Sequence, residues 1–579
     1  MNILGISCYY HDSSACLVKD GKIVAAAEEE RFSRKKHDID FPIKAIEYCL
    51  KEQGITIKDI DSIAFYEKPM LKMERILSQH LEKFPWSFPS FLSSIPSWIN
   101  QKLRVTKTIN KKLKYDKDVF FVDHHLSHAA GSFLTSPYKE AAILTIDGVG
   151  EWSTTTLGYG KENEIKALKH LDFPHSVGLL YSAVTAHLGF RVNNSEYKVM
   201  GLAPYGKPVY YDKFKKIIDI RDDGSFKIDM SYFIYHYKQR MPGKKFVKEF
   251  GPIRKGEELT QHHKDIAASL QKITEDIYIK SLNHLYSLTK MKNVCISGGC
   301  ALNSVANGKV LRNTPFENIY IQPAAGDGGT SIGAAKYVYN TLLKNERKNV
   351  LRSPYLGPSF SKQEVRRFLD DNNIKYHEFK SDKELLKTTA DLIHNSNVIG
   401  WFQGRMEWGP RALGSRSILS DPTNKDMQEI LNLKVKHREK FRPFAPVICE
   451  DDVLDYFESD NPTPIPTDFM LMVYPIKKEK QEILPAITHV DGSGRLQSIR
   501  RDQNPLYYDL IKEFKKLSGV PILVNTSFNI RGEPIVCTPK QAYKCMMGTG
   551  IDCLIIDSFI VKRSENPKDM WDSGKDAKD

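Results

Sequence analysis

Several features that define common protein classes are missing from this chain of 579 residues. Its nine cysteines are scattered and form no CxxC pair, which argues against a disulfide framework or a structural zinc site. The most apolar stretch, 86–99, is interrupted by prolines and serines and is too short to span a bilayer. The first residues lack the basic and apolar regions of a signal peptide. We therefore expect a cytoplasmic protein without a membrane span.

Two familiar enzyme signatures are missing as well. The chain has no GxxxxGK[ST] loop and no HExxH helix, so a P-loop nucleotide site and a zinc peptidase lose their usual support. The composition is that of an ordinary globular protein, with 41% hydrophobic and 27% charged residues and a net charge of +13. The positive excess fits solvated faces, or anionic ligands such as a nucleotide or an acyl phosphate. Any nucleotide must be held without a P-loop.

The chain is long enough for more than one packed unit, and its N-terminal part contains one pattern twice. An apolar run at 2–6 leads into a polar turn, and a second run at 141–146 leads into Asp147-Gly148-Val149-Gly150. Such duplication is typical of the α/β, actin-like ATPase architecture, in which the loops of two halves face a cleft; two unrelated hairpins are the alternative.

A polar stretch with prolines separates this part from the rest of the chain. The predicted organisation is an N-terminal domain at 1–345, a linker at 346–360, a C-terminal domain at 361–565 and a charged tail at 566–579. Within the C-terminal domain we expect strands at 398–402, 444–448, 522–525 and 553–556.

The strongest single signal is the pair His124 and His128. Side chains four residues apart on a helix share a face, so both imidazoles can bind one cation. A coincidental pair is the alternative. Asp147 and Asp327 are the best oxygen partners, because each stands in a glycine-rich turn after a buried strand, where a lone carboxylate would be costly. Such a site suits Fe(II), Mn, Zn or Mg, and the ligands do not choose among them.

His11 stands in the first polar loop, where it is placed to deprotonate a hydroxyl; capping of the turn is the alternative. Lys36, in a dense charge run, is within reach of a phosphate if the run faces the cleft. Two glycine-rich turns are natural phosphate or adenosine contacts. They contribute the candidate cofactor-binding residues Gly298, Gly299, Asn303, Gly326 and Gly328.

The C-terminal domain carries basic side chains interleaved with glycines and prolines. This arrangement fits triphosphate or acyl phosphate oxygens better than a solvated basic face, which has no use for the glycines. The candidates are Arg405, Arg411, Arg416, Lys436 and Arg442. Asn525 and Ser527, at the end of a predicted strand, can hold an adenylate or a carbamoyl group.

Six ordered motifs together resemble the NodU/CmcH family of O-carbamoyltransferases, from about residue 2 to about residue 565. They are AEEERF (27–32), DHHLSHAA (123–130), KVMGLAPYG (198–206), GPRALG (409–414), FRPFAP (441–446) and NTSFN (525–529). The resemblance implies an actin-like N-terminal domain similar to the tRNA threonylcarbamoyl transferase TsaD and an α/β C-terminal domain similar to YrdC.

The resemblance further implies that the C-terminal domain makes carbamoyl-adenylate from ATP and carbamoyl phosphate, in a pocket lined by Lys436, Arg442, Arg411, Arg416 and Ser527. The N-terminal domain would transfer the carbamoyl group to a hydroxyl, with His11 as base and an iron-like divalent metal on the four ligands. Because an adenylate hydrolyses in water, we expect it to travel inside the protein.

The acceptor is left open. The family acts on hydroxyls of sugars and secondary metabolites, and no nucleic acid is expected; a homodimer is left open. The rival hypothesis is a tRNA threonylcarbamoyladenosine enzyme with the basic surface as its footprint. The segment 68–117, aromatic between basic ends, is either a cover over the acceptor or a surface helix pair.

Overall fold

The computed structural model divides into two compact units. Unit 1 consists of Met1–Glu29 and Ile39–Leu351, and unit 2 consists of Glu30–Asp38 and the chain from Arg352 onward. The break after Leu351 lies inside the stretch predicted as a linker. The short segment Glu30–Asp38 differs, because the sequence prediction placed it with the N-terminal domain and the structure places it in unit 2.

The structure describes residues 1–238, 240–256, 258–348, 350–439 and 441–567. Of the predicted tail at 566–579, residues 568–579 therefore lie outside the described residues.

Unit 1 contains two five-stranded sheets and a short hairpin. Its strands are β1 (Asn2–Ser7), β2 (Ser14–Lys19), β3 (Lys22–Glu28), β4 (Ser62–Phe65), β5 (Val119–Phe121), β6 (Glu140–Ile146), β7 (Ser153–Lys161), β8 (Glu164–Asp172), β9 (Ile218–Ile220), β10 (Phe226–Ile228), β11 (Asn293–Ser297) and β12 (Asn318–Tyr320).

The two large sheets repeat one topology. Their strand orders are β3-β2-β1-β4-β5 and β8-β7-β6-β11-β12. In each, the first three strands form an antiparallel meander, and the first strand pairs in parallel with the fourth, which pairs in parallel with the fifth. The central strands β1 and β6 are buried nearly throughout, as expected for strands covered on both faces. The duplicated α/β sheet predicted from the repeated strand-turn-strand pattern is confirmed.

The helices of the described chain connect and cover these sheets. They are α1 (Glu30–Ser33), α2 (Ile43–Glu52), α3 (Pro69–Glu82), α4 (Phe88–Asn100), α5 (Val105–Leu113), α6 (His124–Phe133), α7 (Val177–His187), α8 (Glu196–Leu202), α9 (Tyr211–Ile217), α10 (Lys244–Phe250), α11 (Gln261–Thr289), α12 (Ser304–Asn307), α13 (Val310–Asn313), α14 (Thr330–Lys336), α15 (Lys362–Asp371), α16 (Asp382–His394), α17 (Met427–Ile430), α18 (Val453–Tyr456), α19 (Lys478–Gln481), α20 (Pro505–Ser518) and α21 (Pro539–Met547). None of these helices is long and apolar enough to cross a membrane.

Two short helices in the middle of unit 1, α6 and α14, pack directly on each other. Glycine permits this contact, because a Cβ at Gly333 would lie 1.8 Å from the carbonyl oxygen of Ser127. On its other side α14 approaches the first sheet, where a Cβ at Gly5 would lie 2.0 Å from the carbonyl oxygen of Ser331. Helix α14 thus fixes α6 and β1 in one compact arrangement.

Unit 2 is built on a mixed nine-stranded sheet of order β13-β21-β20-β14-β15-β19-β16-β18-β17. The strands are β13 (His377–Glu378), β14 (Ile399–Phe402), β15 (Arg416–Ser420), β16 (Ala445–Cys449), β17 (Met472–Pro475), β18 (Ser493–Ile499), β19 (Ile522–Ser527), β20 (Cys553–Ile556) and β21 (Phe559–Lys562). Helices α16 and α20 cover one face with a buried apolar core. The four strands predicted here are present as β14, β16, β19 and β20.

Segment Glu30–Asp38 is held in unit 2 by arginine side chains. Arg31 donates to the carbonyl oxygen of Gly409 at 2.8 Å, and Arg34 donates to those of Pro534 and Ile535, both at 2.7 Å. These bonds bring Lys36 into unit 2 together with the basic motifs.

Replacing Gly333 with alanine should destabilise unit 1, because the added methyl group collides with a backbone oxygen that cannot rotate away. We expect a loss on the order of 1–3 kcal/mol, the usual cost of overpacking, measured by urea unfolding. The matched control is Gly326→Ala, where the nearest atom to an added Cβ is Leu302 Cδ1 at 3.7 Å. Equal stability of the two variants would contradict the close-packing argument.

Candidate functional site

The structure brings the four predicted metal ligands of unit 1 together. His124 and His128 lie one turn apart on α6, Asp147 follows β6, and Asp327 stands just before α14. All four side chains are buried, and their ligand atoms lie within 4.8 Å of one another. The convergence of α6, the end of β6 and the start of α14 therefore creates one compact cluster of two imidazoles and two carboxylates.

The cluster has the geometry of a cation site. Nε2 of His124 lies 3.2 Å from Oδ2 of Asp147, and Oδ1 of Asp327 lies 3.6 Å from His124 Nε2 and 3.4 Å from His128 Nε2. Among the described residues, both carboxylate oxygens of Asp327 and Nε2 of His128 are buried without a hydrogen-bond partner. Buried polar atoms normally have partners, so these residues fit a divalent metal with mixed nitrogen and oxygen ligands.

Electrostatics within the cluster lead to the same conclusion. Burial alone would lower the pKa of His124, yet the carboxylates of Asp327 and Asp147 raise it to about 9. Conversely, burial would raise the pKa of Asp147, and the hydrogen bond from His124 with the neighbouring histidines holds it well below its usual range. The two carboxylates thus demand positive charge, which a proton or a metal can provide.

Helix α6 is anchored at its first turn. The Asp123 carboxylate accepts from the backbone N–H of Leu126 at 3.2 Å, and the Glu151 carboxylate accepts from that of His124 at 3.1 Å. Burial and then the Asp123 charge raise the pKa of Glu151 to about 7. Glu151 stands in no motif of the sequence, and its role depends on a fold contact that no local motif encodes.

Gly298 and Gly299, two of the glycines predicted to contact phosphate, form a turn that supports Asp147. The backbone N–H of Gly299 donates to Asp147 Oδ1 at 2.7 Å. Gly298 has φ +96°, and a Cβ there would lie 2.3 Å from the carbonyl oxygen of Ile146. Only glycine fits this turn.

The second glycine-rich turn is tied to the first sheet. The carbonyl oxygen of Gly328 accepts from the Ser14 hydroxyl at 2.7 Å, and Gly326 directly precedes the metal-ligand candidate Asp327. The Asn303 side chain caps α12 by accepting from the Ala306 N–H at 3.1 Å, and it also bonds to Gln271. The nucleotide contact of Asn303 stays a prediction.

His11 lies at the edge of the same cluster. Its Nδ1 is 2.9 Å from Asp12 Oδ2, and its Nε2 is 3.6 Å from Asp327 Oδ2. Burial lowers the pKa of His11, but the carboxylates of Asp327 and Asp12 raise it to about 10. Both ring nitrogens thus face carboxylates.

In unit 2, Lys436 occupies a polar nest at the end of β19. Its ammonium donates to the carbonyl oxygen of Ser527, to the carbonyl oxygen of Asn529 at 3.1 Å and to Asn529 Oδ1 at 2.8 Å, and the Ser527 hydroxyl lies 3.4 Å away. Burial lowers the pKa of Lys436 well below its usual range, and the charges of Arg438, Arg442 and Lys36 lower it further. The lysine is buried among other cations.

A second arginine group adjoins this nest. Burial and the neighbouring charges of Arg411 and Arg438 hold the pKa of Arg495 well below its usual range. Within the described residues Nε of Arg495 has no hydrogen-bond partner. Arg442 has a partner, because its Nε lies 2.9 Å from Glu439 Oε2. Arg495 stands outside every sequence motif and reaches the group through the pairing of β18 with β16.

Three predicted contacts of unit 2 are occupied by the protein itself. Arg416 is fully buried, and its terminal nitrogens donate to four carbonyl oxygens at 2.9–3.2 Å. Arg405 donates to the carbonyl oxygens of Leu356 and Gly357. The Asn525 amide donates to the carbonyl oxygen of Ala412 and to the side-chain oxygen Oε1 of Gln497. These side chains shape the loops, and the role of Arg416 in a nucleotide pocket stays a prediction.

The GPRALG loop is held by a residue that the sequence analysis passed over. The buried carboxylate of Glu407 accepts from the backbone N–H groups of Leu413, Ser415 and Arg416 at 2.6–3.0 Å. With this loop fixed, Arg411 projects from a rigid support beside Arg495.

Comparison with known proteins covers nearly the whole chain. Residues 2–336 match the family model of the carbamoyltransferase N-terminus, and residues 390–563 match that of the carbamoyltransferase C-terminus. The chain is 46% identical to an uncharacterized protein of Synechocystis, with 98% of this chain and 97% of the relative covered. It is 38% identical to the nodulation protein NolNO of Sinorhizobium fredii, with 97% and 80% covered.

Among solved structures, the ROK hexokinase from Thermus thermophilus matches 59% of this chain and 100% of its own, at 12% identity and a TM-score of 0.30.

The four-residue cluster predicts stoichiometric metal binding. Wild-type protein should bind about one equivalent of Mn(II), Zn(II) or Fe(II), and His124→Ala should weaken binding by at least ~100-fold because a ligand is lost. Titration calorimetry and elemental mass spectrometry measure this.

The matched control is His125→Gln, since His125 faces Thr145 Oγ1 at 2.6 Å rather than the cluster. Unchanged metal content in His124→Ala, or equal loss in His125→Gln, would contradict the assignment.

Proposed function

This chain belongs to the carbamoyltransferase family, and we propose that it transfers a carbamoyl group from carbamoyl phosphate to the hydroxyl of a small molecule in an ATP-dependent reaction. Activation takes place in unit 2, which forms carbamoyl-adenylate. Transfer takes place in unit 1, at the cluster around His124 and Asp327. The acceptor is a sugar or another secondary metabolite.

The observation that carries this proposal is the group of cationic side chains in unit 2. Burial lowers the pKa of both Lys436 and Arg495, and the charge of Arg438 lowers both pKa values further. Bringing like charges together in a buried site is costly unless an anion is bound. A triphosphate with an acyl phosphate supplies the matching negative charge, and guanidinium groups bind phosphate oxygens in pairs.

In the activation step, water attacks the carbamoyl carbon of carbamoyl phosphate and displaces phosphate. An oxygen of the resulting carbamate then bonds to the α-phosphorus of ATP, and pyrophosphate departs. The basic group neutralises charge on the phosphates as this bond forms. Lys436 is preorganised by the oxygens of Ser527 and Asn529, and Lys36 reaches the site on the segment held by Arg31 and Arg34.

In the transfer step, His11 accepts the proton of the acceptor hydroxyl, whose oxygen attacks the carbamoyl carbon as AMP departs. His124, His128, Asp147 and Asp327 would hold the divalent metal, Fe(II) by resemblance. When bound, this cation supplies positive charge that stabilises the leaving phosphate and offsets the carboxylates that hold a proton on His11. Asp12 keeps the ring of His11 in place through the contact with Nδ1.

Activation is tested without any acceptor. Metal-loaded protein incubated with ATP and labelled carbamoyl phosphate should form carbamoyl-adenylate. Lys436→Ala should slow its formation at least ~100-fold, because the variant lacks the positive charge that faces the phosphates. Chromatography of quenched reactions follows the label.

Lys434→Ala is the matched control, since Lys434 is exposed two residues away. The proposal fails if folded, metal-loaded wild-type protein forms no adenylate, or if both lysine variants lose it equally.

Transfer is tested with His11→Ala. This variant should still make carbamoyl-adenylate while label transfer to a panel of free sugars and sugar acids falls at least ~100-fold, the effect of removing a general base. His170→Ala, at an exposed histidine of β8, provides the comparison. Equal loss of adenylation and transfer in His11→Ala would refute the division of labour between the units.

A further inference from the structure

A cavity of about 270 Å³ in unit 1 opens beside the metal cluster. Tyr10 lines it, and the Tyr10 ring lies 4.6 Å from that of His11. Val149 lines it as well, two residues after Asp147. The volume is just below the ~300–1,000 Å³ that is typical of small-molecule sites. A molecule in this cavity would contact Tyr10, the chain neighbour of His11, and Val149, on the loop that carries the metal-ligand candidate Asp147.

The walls combine aromatic rings with one buried cation. Tyr10, Phe173 and Tyr235 supply apolar faces, and the Arg75 guanidinium stacks on the Phe173 ring at 4.8 Å from its centroid. Arg75 is only 5% exposed. Its side chain is therefore fixed in place at the cavity wall by stacking rather than extended into solvent.

Arg75 forms no direct ion pair among the described residues, although the charges of Glu67 and Glu151 act on it. Among the described residues its hydrogen bonding is confined to Gln79 Oε1 at 3.4 Å, and Nε is buried without a partner. The acidic groups nearest in electrostatic terms are occupied: Glu67 pairs with Lys72 at 2.5 Å, and Glu151 accepts from the first turn of α6. Of the residues that line the cavity, none is an aspartate or a glutamate.

We propose that this cavity binds the carbamoyl acceptor, and that the acceptor is a sugar-like molecule with an anionic group, a carboxylate or a phosphate, held by Arg75. The inference rests on the proposed transfer in unit 1 and names the substrate class of that site. Guanidinium binds either anion through paired hydrogen bonds, and aromatic walls beside the amides of Gln79 and Asn193 suit a sugar ring.

The charge distribution favours an anion over a neutral or cationic sugar. Burial lowers the pKa of Arg75 to about 10, so the group stays charged at neutral pH. A buried charge with unpaired donors is costly, and an anionic ligand removes that cost, whereas an amino sugar would add a second cation. Lys238, exposed at the cavity, contributes charge of the same sign.

The cavity also bears on the segment 68–117, which the sequence predicts to be either a cover over the acceptor or a surface helix pair. Helix α3 contributes Arg75 and Gln79 to the wall, so this part of the segment covers the cavity. Trp86 and Phe88 remain exposed on the surface, and Trp98 is buried.

The experiment measures binding of four probes to the full, metal-loaded chain by titration calorimetry: glucuronic acid, glucose 1-phosphate, glucose and glucosamine. We expect both anionic probes to bind at least tenfold more tightly than glucose, and glucosamine to bind most weakly. Arg75→Gln should reduce the preference for anions to less than twofold, while Arg75→Lys should retain part of it. Arg221→Gln, at an exposed arginine of unit 1, is the matched control.

Equal binding of neutral and anionic probes to wild-type protein overturns the inference, as does a full anion preference in folded Arg75→Gln. If Arg75→Gln fails to fold by its melting curve, the wild-type probe series and Arg75→Lys still decide. Carbamoyl-adenylate formation by the same wild-type preparation is measured in parallel. Its absence together with Arg75-dependent binding overturns the proposed function but not the anion site, whereas adenylate formation without anion preference overturns the anion site alone.

Discussion

Two carboxylates buried next to each other, those of Asp147 and Asp327, are the constraint on which unit 1 depends. An isolated buried charge is so costly that it must be paired. The fold provides that pairing by directing the face of α6 with His124 and His128 at both carboxylates, and by placing His11 at their edge. Glycines make this convergence possible, because they allow α14 to contact α6 and the Gly298 turn to contact β6. The close packing of these elements therefore also produces the charge pairing.

Unit 2 has the opposite imbalance. Its loops concentrate cations around Lys436 and Arg495, and the buried carboxylate of Glu407 is consumed by backbone N–H groups rather than by the arginines. In the proposed reaction, unit 2 offers positive charge to an anionic intermediate. Unit 1 offers a carboxylate pair that requires a cation before the same intermediate can bind. In the proposed reaction, a phosphate ester would bind the cations of unit 2 directly and would need a metal to bind at the carboxylates of unit 1.

How far the sequence predicts the site depends on whether the signal is local. His124 and His128 share a helix face, and Asp147 and Asp327 each stand in a glycine-rich turn after a strand, so local patterns nominate all four as candidate ligands. The duplicated sheets follow from a repeated strand pattern for the same reason. Glu151, Arg495 and the transfer of segment Glu30–Asp38 to unit 2 depend on contacts between residues far apart in sequence, and no periodicity reports them. For Asn303 and Arg416 the local pattern suggests a ligand contact, and it does not reveal the backbone groups to which both side chains bond within the fold.

The charge that the proposed acceptor cavity favours in its ligand is also related to the carboxylate pair. Burial raises the pKa of Tyr10, the charges of Asp327 and Asp147 raise it further, and Arg75 lowers it, so this ring lies within reach of both fields. An acceptor anion placed against the carboxylates would be repelled. Held by Arg75, the same anion would be stabilised, and the proposed acceptor would then offer its uncharged hydroxyl end to the transfer site. In this proposal the anionic group of the acceptor, which gives affinity, binds at the positive charge of Arg75. The hydroxyl that reacts is uncharged, so the nearby carboxylates do not repel it.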